Sequence, residues 1–376
     1  MNTLLLERVS IQGFKAIEYS GGLDLTPLTV FIGNNGSGKS SVIEALETLH
    51  TLATRDLDAA MQMWRGFEHI RNRSLLRGRD SANGPPTIVI EVYGQKGGQP
   101  FGVRTVLNQE TNRLLIHGEM AHLGKERMKR DDDGTTTATG ADKRLVPRTL
   151  PPAQSLLSLF PPEVIRPWQF LDLSPHVMGS PVAQKLTGGR IRLAKDGSNI
   201  AEYLLELRNL DSVAFNDLVE TLKVVLPYAN DLQTALASDL GRSLYLQMSE
   251  ADFQIPGWLL SSGTLRVLAL LAVLRHPEPP PVIFIEELEN GLDPRTLHMI
   301  VGEIQRVVAS GRSQVIATTH SPYLLDLLPL ESIVVVERAF GQPTFRRPAA
   351  DATVLEWAKE FSPGRLYTMS RFERER

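Results

Sequence analysis

Apolar residues recur along this chain at two spacings, and the change from one to the other predicts its elements. Leu4 to Ile11 reads as a strand, and Leu28 to Ile32 is a short apolar run ending in glycine. A helix is expected from about Lys39, because Val42, Ile43, Ala45, Leu46 and Leu49 fall at helical spacing and would pack on a sheet. Thr87 to Tyr93, Gly102 to Leu107 and Leu114 to Gly118 read as consecutive strands of an antiparallel meander, after a strong turn signal at Asn83-Gly84-Pro85-Pro86. Lys125 to Lys143 turns polar, and a mobile loop is expected there.

Further along, Pro147 to Pro167 is punctuated by proline. Ile200 to Leu210 and Phe215 to Val225 carry helical spacing, so a mostly helical lobe is expected to about Glu250. Leu259 to Leu274 is an apolar helix, and Pro277 to Pro281 breaks it. Strand Val282 to Ile285, helix Arg295 to Val308, strand Gln314 to Thr318, helix Pro322 to Leu327 and strand Ser332 to Val336 then alternate as an α/β series. There are no internal repeats and no sustained heptads.

Composition narrows the function classes. With 376 residues, 40 Lys plus Arg against 43 Asp plus Glu and a net charge of −3, the chain is no polycation and is long enough for two domains, or for one with a large insertion. The absence of cysteine removes disulfides, zinc–thiolate sites, iron–sulfur clusters and thiol nucleophiles, and agrees with a reducing, cytoplasmic setting. Met1 to Leu6 is apolar, but Glu7 and Arg8 end the run well before a signal-peptide core. The longest apolar stretches, such as Val267 to Leu274, fall short of a membrane span, so no direct membrane insertion is expected.

The chemistry begins at Gly33-Asn34-Asn35-Gly36-Ser37-Gly38-Lys39-Ser40, a G-x-x-x-x-G-K-[ST] phosphate loop between a strand and a helix. Its glycines let backbone N–H groups turn toward phosphates, Lys39 reaches the β and γ phosphates, the Ser40 hydroxyl suits Mg²⁺, and the helix start at Ser40 and Ser41 adds partial positive charge. Glu286 and Glu287 end the apolar strand Val282 to Ile285, where ligands collect in open α/β sheets. Alternation points them apart, so Glu286 is the expected partner of the Mg²⁺ shell and Glu287 the group that polarises the attacking water. Ser261, Ser262 and Gly263 open a helix and, taken alone, make only a cap. His320, following Thr318-Thr319, is taken alone a structural hydrogen-bonding residue as readily as a functional one.

The order of these motifs resembles the ABC-type ATPase heads of the SMC, RecF and OLD class. Beside the phosphate loop and the Glu286-Glu287 strand, Leu260 to Thr264 resembles the family's signature, Asn290-Gly291-Leu292-Asp293-Pro294 its D-loop and His320 its switch histidine. Asp196-Gly197-Ser198-Asn199 and Phe361 to Leu366 extend the likeness to stand-alone bacterial ATPases of the AAA_21 type. Transporter ATPases usually carry Asp at the position of Glu286 and two glycines where Ser262-Gly263 stands, departures familiar in the RecF-like and OLD-like branch. Gln169 and Gln62 are candidates for the family's glutamine loop, and each also reads as an ordinary polar surface residue.

The resemblance implies an α/β P-loop NTPase with an antiparallel meander and a helical lobe inserted between phosphate loop and signature. Residues 1–145 and 257–345 would form the discontinuous nucleotide-binding domain, 146–256 the mainly helical lobe and 346–376 a C-terminal extension. It further implies that ATP is sandwiched between the phosphate loop of one copy and Ser261, Ser262 and Gly263 of another. Asn290 and Asp293 would lie at that seam and His320 would sense the γ-phosphate. A homodimer or larger homo-oligomer is therefore expected, switching conformation with ATP in DNA maintenance or antiphage defence. The span between Lys39 and Ser261 lacks an SMC coiled coil, and the stretch after His320 has no room for an OLD nuclease domain, so a separate nuclease or toxin is the expected effector. Arg65, Arg71, Arg73, Arg77 and Arg79 are candidates for DNA phosphates or simply a solvated face. A transporter-energising subunit and a weakly hydrolysing nucleotide scaffold are the alternatives.

Overall fold

The computed structural model describes residues 4–73, 87–110, 113–139, 148–184, 190–237 and 243–372. The chain divides into two compact units, residues 1–168 with 329–376 and residues 169–328.

In the first unit an antiparallel sheet of nine strands runs, in spatial order, Arg148–Thr149, Thr135–Thr139, Glu126–Arg130, Arg113–Leu123, Gln99–Glu110, Thr87–Lys96, Leu4–Phe14 and Ile17–Tyr19, with Leu23–Asp24 also paired on Leu4–Phe14. Alternation explains its one buried face: Ile88, Ile90 and Val92 are buried at every second position. The expected meander is present and longer than expected. Glu126–Arg130 and Thr135–Thr139 pair in register from Arg127 opposite Thr139 to Arg130 opposite Thr136, so part of the segment expected as a mobile loop is a hairpin. Its polar composition hid a strand pair in which only Met128, Arg130 and Thr136 are buried, Arg130 by donating Nη1 to the Ile116 carbonyl at 2.6 Å. Residues 140–147, which complete that expected loop, lie outside the described residues.

One carboxylate in this sheet is fully buried. Glu119 accepts from Ser155 Oγ and the Leu156 amide, each at 2.6 Å, and from Thr105 Oγ1 at 3.2 Å. Burial pushes its carboxyl above the usual carboxylate range, against the pull of these donors and of the Arg130 charge. A carboxyl raised in the folded state contributes fully below its unfolded pKa and loses that contribution as pH climbs through the folded value. Glu119→Gln removes the titration, so the thermal midpoint of the variant relative to the parent should rise with pH across that window; parallel curves would contradict it.

The first unit also holds strand Leu28–Ile32, buried throughout. It runs parallel to Ile333–Ala339, with Val30 opposite Ile333, and Gln342–Arg346 pairs antiparallel on the far side. Helix Lys39–Thr54 follows the loop after Ile32 and buries Val42, Ile43, Ala45, Leu46 and Leu49, as its spacing predicts.

In the second unit, Gln169–Leu171, Val282–Ile285 and Gln314–Thr319 are parallel neighbours. All three are buried along their length, and Phe170 stacks on Phe284 with ring centroids 4.5 Å apart. Helices Ser262–Leu274, Pro294–Ala309 and Pro322–Asp326 supply the expected alternation. Helices Ile200–Leu210 and Ser212–Val225 also form, but the lobe is not mostly helical. Asp231–Ala237, Ser243–Glu250 and Phe253–Pro256 build an antiparallel sheet with Val182–Ala183. The period of two was present in the sequence, since Leu244, Leu246 and Met248 are buried at alternate positions. Among the described residues, no helix is long and apolar enough to cross a membrane.

Candidate functional site

The phosphate loop is shaped by close backbone approach. A Cβ on Gly33 would lie 2.0 Å from the Val336 carbonyl oxygen, and one on Gly38 would lie 2.8 Å from Pro343 Cγ. Gly36 at φ +72° and Gly38 at φ +109° take left-handed backbone conformations that favour glycine. Helix Lys39–Thr54 starts at Gly38 with no side-chain cap and no acid in its first turn, so its N-terminal amides keep their partial positive charge for a ligand. Lys39 is buried and donates Nζ to the carbonyls of Gly33 at 2.8 Å and Asn34 at 3.0 Å. Ser37 is buried with its Oγ lacking a hydrogen-bond partner. Asn34, Asn35 and Gly36 are exposed, Ser40 is half-buried and Ser41 is buried. A lysine folded over carbonyls, an orphaned hydroxyl and an uncapped helix start fit a polyphosphate with a bound cation.

In the second unit, Glu286 and Glu287 follow the buried strand Val282–Ile285. Glu286 has a side chain only 15% exposed, and its Oε1 lies 3.7 Å from Lys195 Nζ. Lys195 leads directly into Asp196-Gly197-Ser198-Asn199. That turn is fixed by the Ser198 amide on Asp196 Oδ1, the Ala194 amide on Asn199 Oδ1 and a left-handed Gly197. Glu287 is exposed and stands at φ +47°, a region that side-chain-bearing residues rarely occupy. Its amide donates to Thr318 Oγ1 at 3.0 Å, and its Oε2 accepts from Asn290 Nδ2 at 3.3 Å.

The signature-like segment caps its own helix. Ser261 Oγ accepts from the Thr264 amide at 3.1 Å, while Ser261 and Ser262 are exposed. Gly263 abuts the D-loop-like turn: a Cβ there would come 2.7 Å from the Gly291 carbonyl oxygen, and Gly291 itself is at φ +70°. Gly263→Ala should therefore cost ~1–3 kcal/mol of stability in urea unfolding; a variant as stable as the parent would contradict this packing. Asp293 caps helix Pro294–Ala309 through the Arg295 and Thr296 amides, and hydrogen bonding from the Thr296 hydroxyl holds its carboxyl below the usual range.

The turn and the histidine are brought together by a residue that motif reasoning passed over. Glu289 accepts the His320 amide on Oε1 at 2.6 Å and Thr319 Oγ1 on Oε2 at 2.8 Å. Arg266, one turn into helix Ser262–Leu274, was also missed. Its Nη2 donates to the Leu173 carbonyl at 2.7 Å. Burial lowers its pKa, while Asp172, Glu287 and Glu289 act in the opposite direction. Gln169 is buried rather than on the surface, with Nε2 donating to the carbonyls of Phe170 and Leu193; Gln62 is exposed. Of the arginine cluster, Arg65 and Arg73 are exposed and Arg71 half-buried, while Arg77 and Arg79 lie outside the described residues.

Known proteins resemble this chain in sequence or fold. A curated OLD nuclease of Thermus scotoductus is 24% identical over 365 residues, covering 89% of this chain and 62% of the relative, so the chain spans less than two thirds of that protein. An SMC head solved with the C-winged helix domain of ScpA superposes with a TM-score of 0.55 at 16% identity, covering 91% of this chain and 97% of that one. An Smc head with an extended coiled coil, solved with the C-terminal domain of ScpA derived from Pyrococcus furiosus, gives 0.50 at 13% identity, covering 94% and 99%. The fold is thus the SMC-head type of P-loop α/β fold. The AAA_21 model, described as "AAA domain, putative AbiEii toxin, Type IV TA system", matches residues 28–326, and the chain belongs to that family.

Proposed function

We propose that this chain binds ATP with Mg²⁺ through Gly33 to Ser41, hydrolyses it, and uses the cycle to close and open a homodimer that controls a separate effector. The observation that carries the proposal is the phosphate loop, where Lys39 is held over the Gly33 and Asn34 carbonyls beside an uncapped helix N-terminus. In the bound state the Lys39 ammonium exchanges those carbonyls for β and γ phosphate oxygens, and the loop amides take the remaining charge. Ser40 and Glu286 are the proposed metal ligands, a small set that suits Mg²⁺, which relies on phosphates and waters for its other positions. When bound, the metal neutralises charge on the phosphates. Glu286 must then release Lys195.

Glu287 is the proposed general base. Its carboxylate takes a proton from the water that attacks the γ-phosphorus as the bond to ADP breaks, and Asn290 orients that carboxylate. His320 is the proposed sensor of the γ-phosphate. Ser261, Ser262 and Gly263 are exposed or half-exposed at the start of a 13-residue helix, suited to completing the cage around ATP on a second copy, with Asn290 and Asp293 near that seam. The toxin–antitoxin description of the family and the nuclease name of the relative support a role in defence or DNA maintenance, with a nuclease or toxin as effector. Steady-state phosphate release with Mg²⁺ is the test: turnover that Lys39→Ala abolishes supports the proposal, and no turnover in the parent leaves only a nucleotide-binding scaffold.

A further inference from the structure

The left-handed backbone at Glu287 needs a cause. A non-glycine residue at φ +47° is strained and persists only where its surroundings hold it. The end of strand Gln314–Thr319 supplies the hold. Thr318, fully buried, accepts the Glu287 amide on Oγ1 at 3.0 Å and the Leu288 amide on its carbonyl at 3.1 Å. Thr319, also fully buried, donates Oγ1 to Glu289 at 2.8 Å and accepts the Ser321 amide at 3.0 Å, while Glu289 takes the His320 amide at 2.6 Å. The Asn290 amide returns to the Glu287 carbonyl at 2.9 Å and closes the turn. Residues 287–290 and 318–321 are therefore stitched together by hydrogen bonds involving two buried hydroxyls and one carboxylate.

We infer that Thr318 and Glu289 are positioning residues of the proposed hydrolytic site, forming a latch that fixes the aim of the Glu287 carboxylate and ties the His320 segment to the same turn. The inference rests on Glu287 being the base, and it assigns neither latch residue a contact with ATP. Valine matches threonine in shape but removes the acceptor, leaving the Glu287 amide unpaired and the left-handed backbone unsupported. Serine keeps the acceptor. Displacing a reacting carboxylate slows the chemical step and leaves nucleotide affinity intact.

The test compares Thr318→Val, Thr318→Ser and Glu289→Leu with the parent. Thr318→Val is expected to lower kcat at least ~10-fold with KM for ATP unchanged, and Thr318→Ser to restore most of the rate. In a Glu287→Gln background, Thr318→Val should cost nothing more, because the group it aims is gone. Amide hydrogen exchange without nucleotide gives a readout independent of turnover: exchange at Glu287 should quicken in Thr318→Val, and at His320 in Glu289→Leu, which removes the acceptor of the His320 amide. Should Thr318→Val fail to fold, the Glu289→Leu exchange and kcat decide. Parental kcat in the folded latch variants, or an equal loss with and without Glu287, would overturn the latch. If Glu287→Gln itself hydrolyses ATP normally, the reading of Glu287 as base fails first, so the two failures are distinguishable.

Discussion

Glu287→Gln is expected to lower steady-state phosphate release by ~10²-fold or more while ATP still binds. Glutamine keeps the length and shape of the side chain and still accepts from Asn290, so the turn at 287–290 should survive. What disappears is the capacity to take a proton from water. Substrate binding depends on other groups, chiefly the loop from Gly33 to Ser40, and should remain near parental. A variant that turns over at the parental rate would remove Glu287 from the chemistry.

Lys39→Ala is expected to act on the other half of the problem. The ammonium sits buried against two carbonyl oxygens in the first unit and is the single cation of the Gly33–Ser41 loop. Losing charge-assisted contacts to the triphosphate should raise the Kd for ATP roughly 100-fold, about 3 kcal/mol, the upper range for hydrogen bonds to charged groups. Binding of a fluorescent ATP analogue measures this directly. Because nucleotide occupancy falls with that affinity, hydrolysis and ATP-dependent assembly should fall together, whereas Glu287→Gln should lose hydrolysis alone. Equal nucleotide affinity in Lys39→Ala and the parent would contradict the proposed role of the loop.

The legible parts of this chain are those whose chemistry is local. A phosphate loop works through consecutive backbone amides, so eight adjacent residues specify it, and Gly33, Gly36 and Gly38 stand where close approach or positive φ demands glycine. Buried parallel strands such as Val282–Ile285 are equally plain, because burial on both faces leaves an unbroken apolar run. The hairpin Glu126–Arg130 with Thr135–Thr139 was hidden because most of its side chains face away from the core and read as polar loop. The sheet formed by Asp231–Ala237 and Ser243–Glu250 was hidden by the helices before it, although its alternation was present.

The contacts that aim the carboxylates were not legible. Thr318 meets Glu287 from 31 residues away, and Glu289 meets His320 from the same separation. Only the pairing of Val282–Ile285 with Gln314–Thr319, which sets Ile285 opposite Ala317, brings those strand ends together. Likewise Asp196-Gly197-Ser198-Asn199 is legible as a motif in the sequence, but the approach of Lys195 to Glu286 beside that turn is set by the fold.

The central claim is that ATP is gripped by two copies of the chain. Light scattering of purified Glu287→Gln, with and without ATP and Mg²⁺, tests it most directly. The account predicts a mass near twice that of the 41.7 kDa chain when ATP is present, reverting on nucleotide removal and absent when Lys39→Ala is added. A nucleotide-saturated Glu287→Gln sample that keeps the mass of a single chain would contradict it.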